Sequence, residues 1–515
     1  MLKYAILLTL FNLCYSYKIL IVFPIPGRSH TILGEGYVRH LVEAGHEVTY
    51  VTPRLIKDVP PNLRQIDVSE NMKFFSPEIF NIKSIMYKEL NIQDHMLMMA
   101  IMHDFWKKTI EIKVMQDFLS DPKEHFDVVI AEWLYTEFGA GLAPIFNCPL
   151  IWSSSMDPHT FVLSLIHEHL NPSYVVDHMS LDYSFSFWHR VNQLWTVSRA
   201  MYYKWSNTAK ENEDFRSAYG PSLTKRGLPV PDYDAVKYNG SLMLGNSDIV
   251  VGDGIALPQN YKHVGGYHIK DTVDPLPKDL QDIMDNSKHG VIYFSMGSNL
   301  RSVDIPDKVK IGLLQVFSGL KQTVIWKLEQ VIPNVPKNVY ISPWAPQPSI
   351  LAHPNCVLFI THGGLLSILE TLRVGLPIIG IPFFADQFMN INRVVAKGYG
   401  KRIDFNDNSP NELKEAIREV LEDPSYRERA KELSEAFNDR IVPPGKELVH
   451  WVEHVVKTKG ASHLRSSALH VSWYRKIYLD LICIVILAIV FIIAISKYLL
   501  NSFRVNIKKG KKKLS

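Results

Sequence analysis

The sequence predicts an α/β protein of two Rossmann-like halves, preceded by a short leader and followed by one membrane-spanning helix. Three observations predict it. A chain of 515 residues is long enough for two or more domains, each with its own core. Short apolar runs that read as buried strands lead through loops into helical patterns in both halves. An unbroken apolar run, Leu481 to Ile495, lies near the carboxyl end.

Composition narrows the function classes. Hydrophobic residues make up 47% and charged residues 21% of the chain, and the formal net charge is +4. Residues Lys497 to Ser515 hold seven basic and no acidic side chains, which leaves the body near −3. A basic nucleic-acid-binding surface is therefore not expected. Cys14 and Cys483 lie in the apolar end segments, so only Cys148 and Cys356 belong to the body. That is no disulfide framework, although one bridge between those two stays open.

The ends carry targeting features. Residues 1–16 have Lys3, an apolar core from Ala5 to Leu13 and small residues Cys14 and Ser16, the pattern of a signal peptide too short to span a bilayer. Residues 476–497 reach the roughly 20 needed for a spanning helix, with Trp473 and Tyr474 suited to the interface. The basic tail, 498–515, places itself in the cytosol by the positive-inside rule and the large domains in the lumen, a single-pass type I arrangement in contact with membrane lipid. Its last four residues, Lys512-Lys513-Leu514-Ser515, resemble a dilysine signal for retrieval to the endoplasmic reticulum. Asn239-Gly240-Ser241 is a sequon compatible with luminal glycosylation.

In the amino-terminal half, Lys18 to Phe23 reads as a strand, Pro24 to Ser29 as a loop, Thr31 to Ala44 as a helix stopped by Gly45, and Glu47 to Val51 as the next strand. No G-x-G-x-x-G is present, so no dinucleotide site is indicated there. The switch-point loop carries His30 instead, the side chain type best able to accept a proton near neutral pH. Phe126 to Ala131 forms a later strand that leads to Glu132. The stretches 70–119 and 156–205 are rich in methionine and aromatics, with helical spacing in Met96, Met99, Ala100 and His103, which suits either core packing or an adaptable apolar pocket. Asp232-Tyr233-Asp234 has the D-x-D form of metal-dependent sugar transferases but lacks a preceding strand. His167-Glu168-His169 lacks the i, i+4 spacing of a zinc protease.

The carboxyl-terminal half is the more informative. Val291 to Phe294 is a strand followed by Ser295-Met296-Gly297-Ser298, and Val324 to Leu328 and Val339 to Ile341 are further strands. The stretch 344–387 then reads WAPQPSILAHPNCVLFITHGGLLSILETLRVGLPIIGIPFFADQ. Val357 to Ile360 is a buried strand, Thr361-His362-Gly363-Gly364 a turn, and Leu366, Leu369 and Leu372 lie at helical spacing before Gly375-Leu376-Pro377 stops the helix. Amides at such a helix start favour a phosphate. His362 and Ser367 supply further donors, Glu370 an acceptor for ribose hydroxyls, Trp344 a flat face for a base, and Asp386-Gln387 groups suited to sugar hydroxyls. A lone H-G-G is equally compatible with an ordinary βαβ turn; the full spacing is more telling.

W-x-P-Q, H-P, T-H-G-G, S, E, G-x-P and D-Q together resemble the signature of the UDP-glycosyltransferases, and the likeness extends to nearly the whole chain, including G-x-S-H before a helix that ends in G-H-E-V-T. The resemblance implies the GT-B arrangement: an acceptor-binding domain over 17–256, a linker over 257–288 and a UDP-sugar-binding domain over 289–465, facing across a cleft. It implies that His30 is the general base and Glu132 its partner, where family members place an aspartate. It further implies that Trp344 stacks uracil, that Gln347 and Glu370 address the uridine, that Ser298, His362, Gly363, Gly364 and Ser367 meet the diphosphate, and that Asp386 and Gln387 bind the sugar. Leu366 departs from the asparagine of many relatives. The expected reaction is inverting transfer of a hexose, glucose by the invertebrate-type H-G-G-L-L-S form, from a UDP-sugar to a small lipophilic hydroxyl acceptor. No metal or other cofactor is expected, since the UDP-sugar is a co-substrate, and a homo-oligomer is compatible with the reading. The alternatives are a UDP-glucuronosyltransferase and a non-catalytic, membrane-anchored ligand-binding relative.

Overall fold

The structure, a computed structural model, describes residues 16–74, 93–297, 304–330 and 332–512. Residues up to Arg465 form one compact unit and those from Ser466 a second.

The first unit opens with β1 (Lys18–Val22), in which Ile19, Leu20, Ile21 and Val22 are all fully buried. A strand that is apolar on both faces requires a sheet covered on both sides, and each such side chain stabilises the fold by about 1.5–3 kcal/mol. There follow α1 (Arg28–Glu43), β2 (Glu47–Thr52), β3 (Leu63–Asp67), α2 (His95–Glu111), β4 (Val128–Trp133), β5 (Leu150–Ser154), α3 (Phe187–Lys225), β6 (Leu242–Gly245) and β7 (Tyr261–His263). The strands pair in parallel in the order β3-β2-β1-β4-β5-β6-β7. The order reverses between β1 and β4, so the loops leaving these neighbours diverge and open a crevice at their carboxyl ends.

The second sheet is built the same way. It comprises α4 (Lys278–Asn286), β8 (Val291–Ser295), β9 (Thr323–Lys327), β10 (Val339–Ser342), β11 (Cys356–Thr361), α5 (Leu365–Val374), β12 (Ile378–Gly380), α6 (Gln387–Ala396) and β13 (Gly400–Arg402). Its parallel order is β10-β9-β8-β11-β12-β13, with the reversal between β8 and β11. The molecule thus has two Rossmann-like domains, each with its own switch point.

The domain limits differ from those expected. The segment 257–288 is not a bare connector: β7 completes the first sheet, while Leu280 and Met284 of α4 pack into the core of the second domain. The stretch 264–277 links the sheets. A later helix, α7 (Pro444–Lys457), falls within the stretch 289–465 expected to form the UDP-sugar-binding domain. It returns to the first domain, where Leu448, Val452 and Val455 join Leu33, Val38 and Leu41 of α1 in one apolar cluster. The physical reason is that α1 has an apolar side left over after covering the sheet, and α7 supplies a matching stripe.

In the second unit, α8 (Leu479–Lys512) contains the apolar stretch Leu479–Arg504, 26 residues whose most apolar 18-residue window has a mean hydropathy of 3.1. Among the described residues it is the one helix long and apolar enough to cross a membrane. It runs on as helix through most of the expected tail, since no proline interrupts residues 498–512. The expected leader falls on residues 1–15, which lie outside the described residues, apart from Ser16. Cys148 and Cys356 are both free thiols.

Candidate active site

The two switch points contribute to one cleft of about 610 Å³, a volume suited to small-molecule ligands. On the first-domain side, Gly27 in extended conformation caps α1, and His30 sits in the first helical turn. It is expected in the loop and lies instead inside the helix. Arg28 and Ser29 already adopt helical geometry because the extended Gly27 supplies the entry. His30 lines the cleft, and its Nδ1 hydrogen-bonds Glu132 Oε1.

Glu132 lies within β4, opposite Ser153 on β5, and its side chain is fully buried. Its residue position inside the strand, rather than beyond it, gives the longer glutamate room to reach the ring. The second oxygen, Oε2, is buried without a hydrogen-bond partner among the described residues. Burial by itself would lower the His30 pKa, but the charge and hydrogen bond of Glu132, with a contribution from Asp386 of the second domain, outweigh it and hold the pKa above 6.5. With Nδ1 engaged by Glu132, Nε2 is the ring nitrogen left to accept a proton.

On the second-domain side, the turn after β11 has two glycines for two reasons. Gly363 takes φ +86°, and a Cβ there would lie 2.4 Å from Ile391 Cγ1. A Cβ on Gly364 would lie 2.6 Å from His362 Nε2. Gly364 then caps α5, whose start has no side-chain cap. The amides of Gly364, Leu365, Leu366 and Ser367 have no partner within the helix and form the anion-favouring end. Gly363, expected to share this role, does not: its N–H donates to Thr361 Oγ1 at 3.3 Å and its carbonyl accepts from Asn390. The cradle begins one residue later than the sequence reading placed it. Burial, reinforced by Lys327, pushes the His362 pKa down to about 4, so the ring is neutral at pH 7 and offers a hydrogen bond rather than a charge. Ser298 lies outside the described residues.

The remaining expected donor-site residues line the same cleft. Trp344 is 59% exposed. Gln347 Nε2 donates to Ser367 Oγ at 3.0 Å and to Glu370 Oε2 at 2.6 Å, so these three polar groups are positioned by one another. Burial raises the Glu370 pKa to about 7 against the lowering effect of that hydrogen bond. Asp386 Oδ2 accepts from Asn390 Nδ2 at 2.9 Å. Gln387 Oε1 accepts from the amides of Phe383 and Phe384, which leaves its NH₂ as the free group. Leu366 packs against the apolar cluster of the first domain, so an interdomain contact stands where a polar side chain was expected from relatives. Asn239 is exposed and does not line the cleft; its Oδ1 accepts from Arg465 at 2.5 Å.

Several cleft residues had no signal that the sequence reading used. Lys327, at the carboxyl end of β9, donates to the Gly297 carbonyl at 2.9 Å and pairs with Glu329 at 2.6 Å. A lysine closing an apolar strand was the available clue. Arg28 reaches across to Trp344, 5.9 Å from its ring centre. Four methionines, Met98, Met102, Met156 and Met179, line the first-domain side. The helical face expected from Met96, Met99, Ala100 and His103 is turned, since Ala100 is exposed and Met98 and Met102 reach the cleft. Tyr135, at φ +56°, lines it too; its hydroxyl lies 2.5 Å from His178 Nε2 and 3.3 Å from His95 Nδ1, and His95 meets Asp177 at 3.0 Å. Elsewhere, Asp232 caps the short helix Tyr233–Lys237 and Asp234 pairs with Lys237 at 2.5 Å, which gives the D-x-D residues structural partners. His169 Nδ1 lies 3.2 Å from Thr160 Oγ1.

Comparison with known proteins gives a consistent result. Residues 18–513 match the family model described as "UDP-glucoronosyl and UDP-glucosyl transferase". The chain is 33% identical to UDP-glycosyltransferase UGT5 of Dactylopius coccus, over 96% of this chain and 94% of that protein. It is 30% identical to UDP-glucuronosyltransferase 2B10 of Homo sapiens, over 92% of each. Among solved structures, a UDP-glucosyltransferase from Polygonum tinctorium superposes with a TM-score of 0.57 at 14% identity, covering 86% of this chain and 99% of that one, which identifies the shared GT-B fold.

Proposed function

The chain belongs to the UDP-glycosyltransferase family, a family with glucosyl and glucuronosyl members, and from that premise we propose that it transfers glucose from UDP-glucose to a hydroxyl of a small lipophilic acceptor with inversion at C1. The observation that carries the proposal is the single cleft lined by both His30, with Glu132 at its back, and the uncapped start of α5.

The acceptor hydroxyl gives its proton to His30 Nε2 while its oxygen attacks C1 of the sugar from the side opposite UDP. Nδ1–H of the imidazolium stays on the Glu132 carboxylate, which fixes the tautomer and balances the new positive charge. The C1–O bond to UDP breaks, and the charge that grows on the diphosphate meets the first-turn amides of α5 and His362. No step is assigned to a metal or other cofactor. Uracil stacks on Trp344, Gln347 and Glu370 hold the uridine, Ser298 and Ser367 meet the diphosphate, and Asp386 with Gln387 hold the sugar hydroxyls. The methionine-lined side takes an apolar acceptor of variable shape.

Glucose is favoured over glucuronate by charge. Asp386 is an acid at the sugar end, and the cations among the described residues of the cleft are engaged, Lys327 with Glu329, Arg28 with Glu35 at 3.4 Å, Lys270 with Asp274 and Arg39 with the Tyr267 carbonyl. A glucuronate carboxylate would meet one more negative charge with no free guanidinium or ammonium among the described residues of the cleft.

The helix Leu479–Arg504 is read as the membrane anchor, with the catalytic domains luminal, in the endoplasmic reticulum. Asn239 is exposed enough to accept a glycan. A mass shift on glycosidase treatment that disappears in Asn239→Gln supports the luminal side; no shift in the parent chain contradicts modification at that site.

The test is direct. Microsomes carrying the chain, given UDP-glucose and then UDP-glucuronate with a panel of phenols, release UDP and form a β-glucoside with the first donor. Preference for the second donor contradicts the sugar assignment, and absence of UDP release with either contradicts catalysis. Trp344→Ala should weaken UDP binding by about 5- to 100-fold, the range of one base–aromatic stack, measured by titration calorimetry.

A further inference from the structure

Arg28 stands where helix electrostatics disfavours it. It is the first residue of α1, whose start has no side-chain cap and no acid in its first turn, and a cation at a helix N-terminus opposes the macrodipole. A local cost of this kind is expected where the side chain has another task. Glu35 offsets the cost only in part. It lies seven residues on, nearly two turns, and so on the same side of the helix, with its Oε1 3.4 Å from Arg28 Nη1. One edge of the guanidinium is thus tethered, and the rest of it stays available.

That guanidinium crosses the cleft. Its central carbon lies over the Trp344 ring, 5.9 Å from the ring centre. Arg28 belongs to the first domain and Trp344 to the loop after β10 of the second, so the cation covers the side of the indole that looks into the cleft. A base entering the cleft has to use that same side. The indole is fixed at its root, because Ser342 Oγ donates to the Trp344 carbonyl at 2.5 Å and the next residue, Ala345, is buried. A flat ring placed between indole and guanidinium needs two stacking distances of about 3.4 Å each, the spacing of successive bases in a strand, or about 7 Å in all. The gap present is short of that by only about 1 Å, which a change of arginine rotamer supplies. Aromatic rings and guanidinium planes are the two platforms on which unpaired bases stack.

We propose that Arg28 is a nucleobase-binding residue: the uracil of the donor is held between the Trp344 indole and the Arg28 guanidinium, while Glu35 keeps the guanidinium in place by its edge. The proposal rests on the reading of Trp344 as the base platform. It adds a first-domain contact to a ligand whose other contacts come from the second domain. The donor then bridges the two domains through its base, at the far end from the sugar that meets His30.

The full chain is titrated by calorimetry with uridine and, separately, with UDP. Uridine has the base and no phosphate, so Arg28→Ala should weaken both ligands by the same factor, about 3- to 30-fold, the range of a cation over a ring. Arg28→Lys keeps the charge and loses the plane, and it should lose nearly as much with both. A loss confined to UDP and restored by Arg28→Lys overturns the proposal, since it makes Arg28 a phosphate contact. Parent affinity for both ligands in Arg28→Ala overturns it as well. The denaturant midpoint of the ligand-free chain controls for folding, and Arg28→Ala should leave it level or raise it, because the cation at the helix start is gone. Should Arg28→Ala not fold, Arg28→Lys decides alone: weaker binding of uridine supports the sandwich and parent affinity for uridine overturns it. Parent UDP affinity in Trp344→Ala would instead contradict the platform reading. Weakened binding in Trp344→Ala beside parent affinity in Arg28→Ala contradicts the sandwich and leaves the platform standing.

Discussion

At the scale of single residues, the pairing of His30 with Glu132 has a measurable pH consequence. The proton-accepting form is the neutral imidazole, and its pKa is held above 6.5, because Glu132 overcomes the effect of burial. The kcat/KM for the acceptor should therefore rise with pH and level off only above that value. In Glu132→Gln the raising charge is gone, so burial dominates and the acid limb should move to lower pH, while kcat falls by about 100-fold or more as the imidazolium loses its counter-charge. A pH–rate profile of both forms checks this; an acid limb that stays in place would remove Glu132 from the role. Glu132 was legible as the partner through the family resemblance, which places a carboxylate near the end of this strand. Its geometry was not, since whether a glutamate reaches the ring depends on where the backbone stops, which periodicity does not report. The Tyr135, His178, His95 and Asp177 group was illegible for another reason: its members are joined by tertiary contacts across 40 or more residues of chain.

At the scale of elements, the strand, turn and helix at β11 and α5 show how local chemistry makes a binding edge. Gly364→Ala adds a Cβ 2.6 Å from the His362 ring and must displace it or the helix start. The expected result is a rise of about 10-fold or more in the KM for UDP-sugar with the acceptor KM within two-fold, measured by initial rates. A proportionate loss of both would indicate general misfolding instead. This element was readable in sequence because its apolar period and its glycine stop agree. The one-residue error in the cradle arose because Thr361, at the strand end, captures the Gly363 amide, a choice set by side-chain geometry. The turned face of α2 has a similar origin. Methionine occurs at positions 96, 98, 99 and 102, so pattern alone fits more than one phase of the helix, and packing decides.

At the scale of the whole molecule, Arg393 of α6 fixes the two domains together. Its guanidinium meets Asp157 at 2.5 Å and Asp253 at 2.7 Å, both from the first domain, and the arginine is nearly fully buried. Arg393→Ala leaves two carboxylates in low-dielectric surroundings and should destabilise the first unit by about 3–5 kcal/mol in denaturant unfolding. Arg393→Lys retains the charge but not the fork, and should fall between. An alanine variant as stable as the parent would show that the other interdomain contacts, such as Arg440 with Asp248 and Lys397 with the Gly252 carbonyl, hold the domains without Arg393. The sequence announced two halves and a cleft, because strand–loop–helix order and the glycine turn are local. It did not announce that α7 crosses back to α1, since an amphipathic helix fits either sheet until the exposed side of α1 is known.

The central claim is that a base from the first domain and an anion cradle from the second act on one substrate pair. The most direct measurement is UDP release by His30→Ala alongside its affinity for UDP. The account predicts a loss of turnover of about 100- to 10,000-fold, the range of one general base, with UDP affinity within two-fold of the parent. Turnover near the parent rate would contradict it.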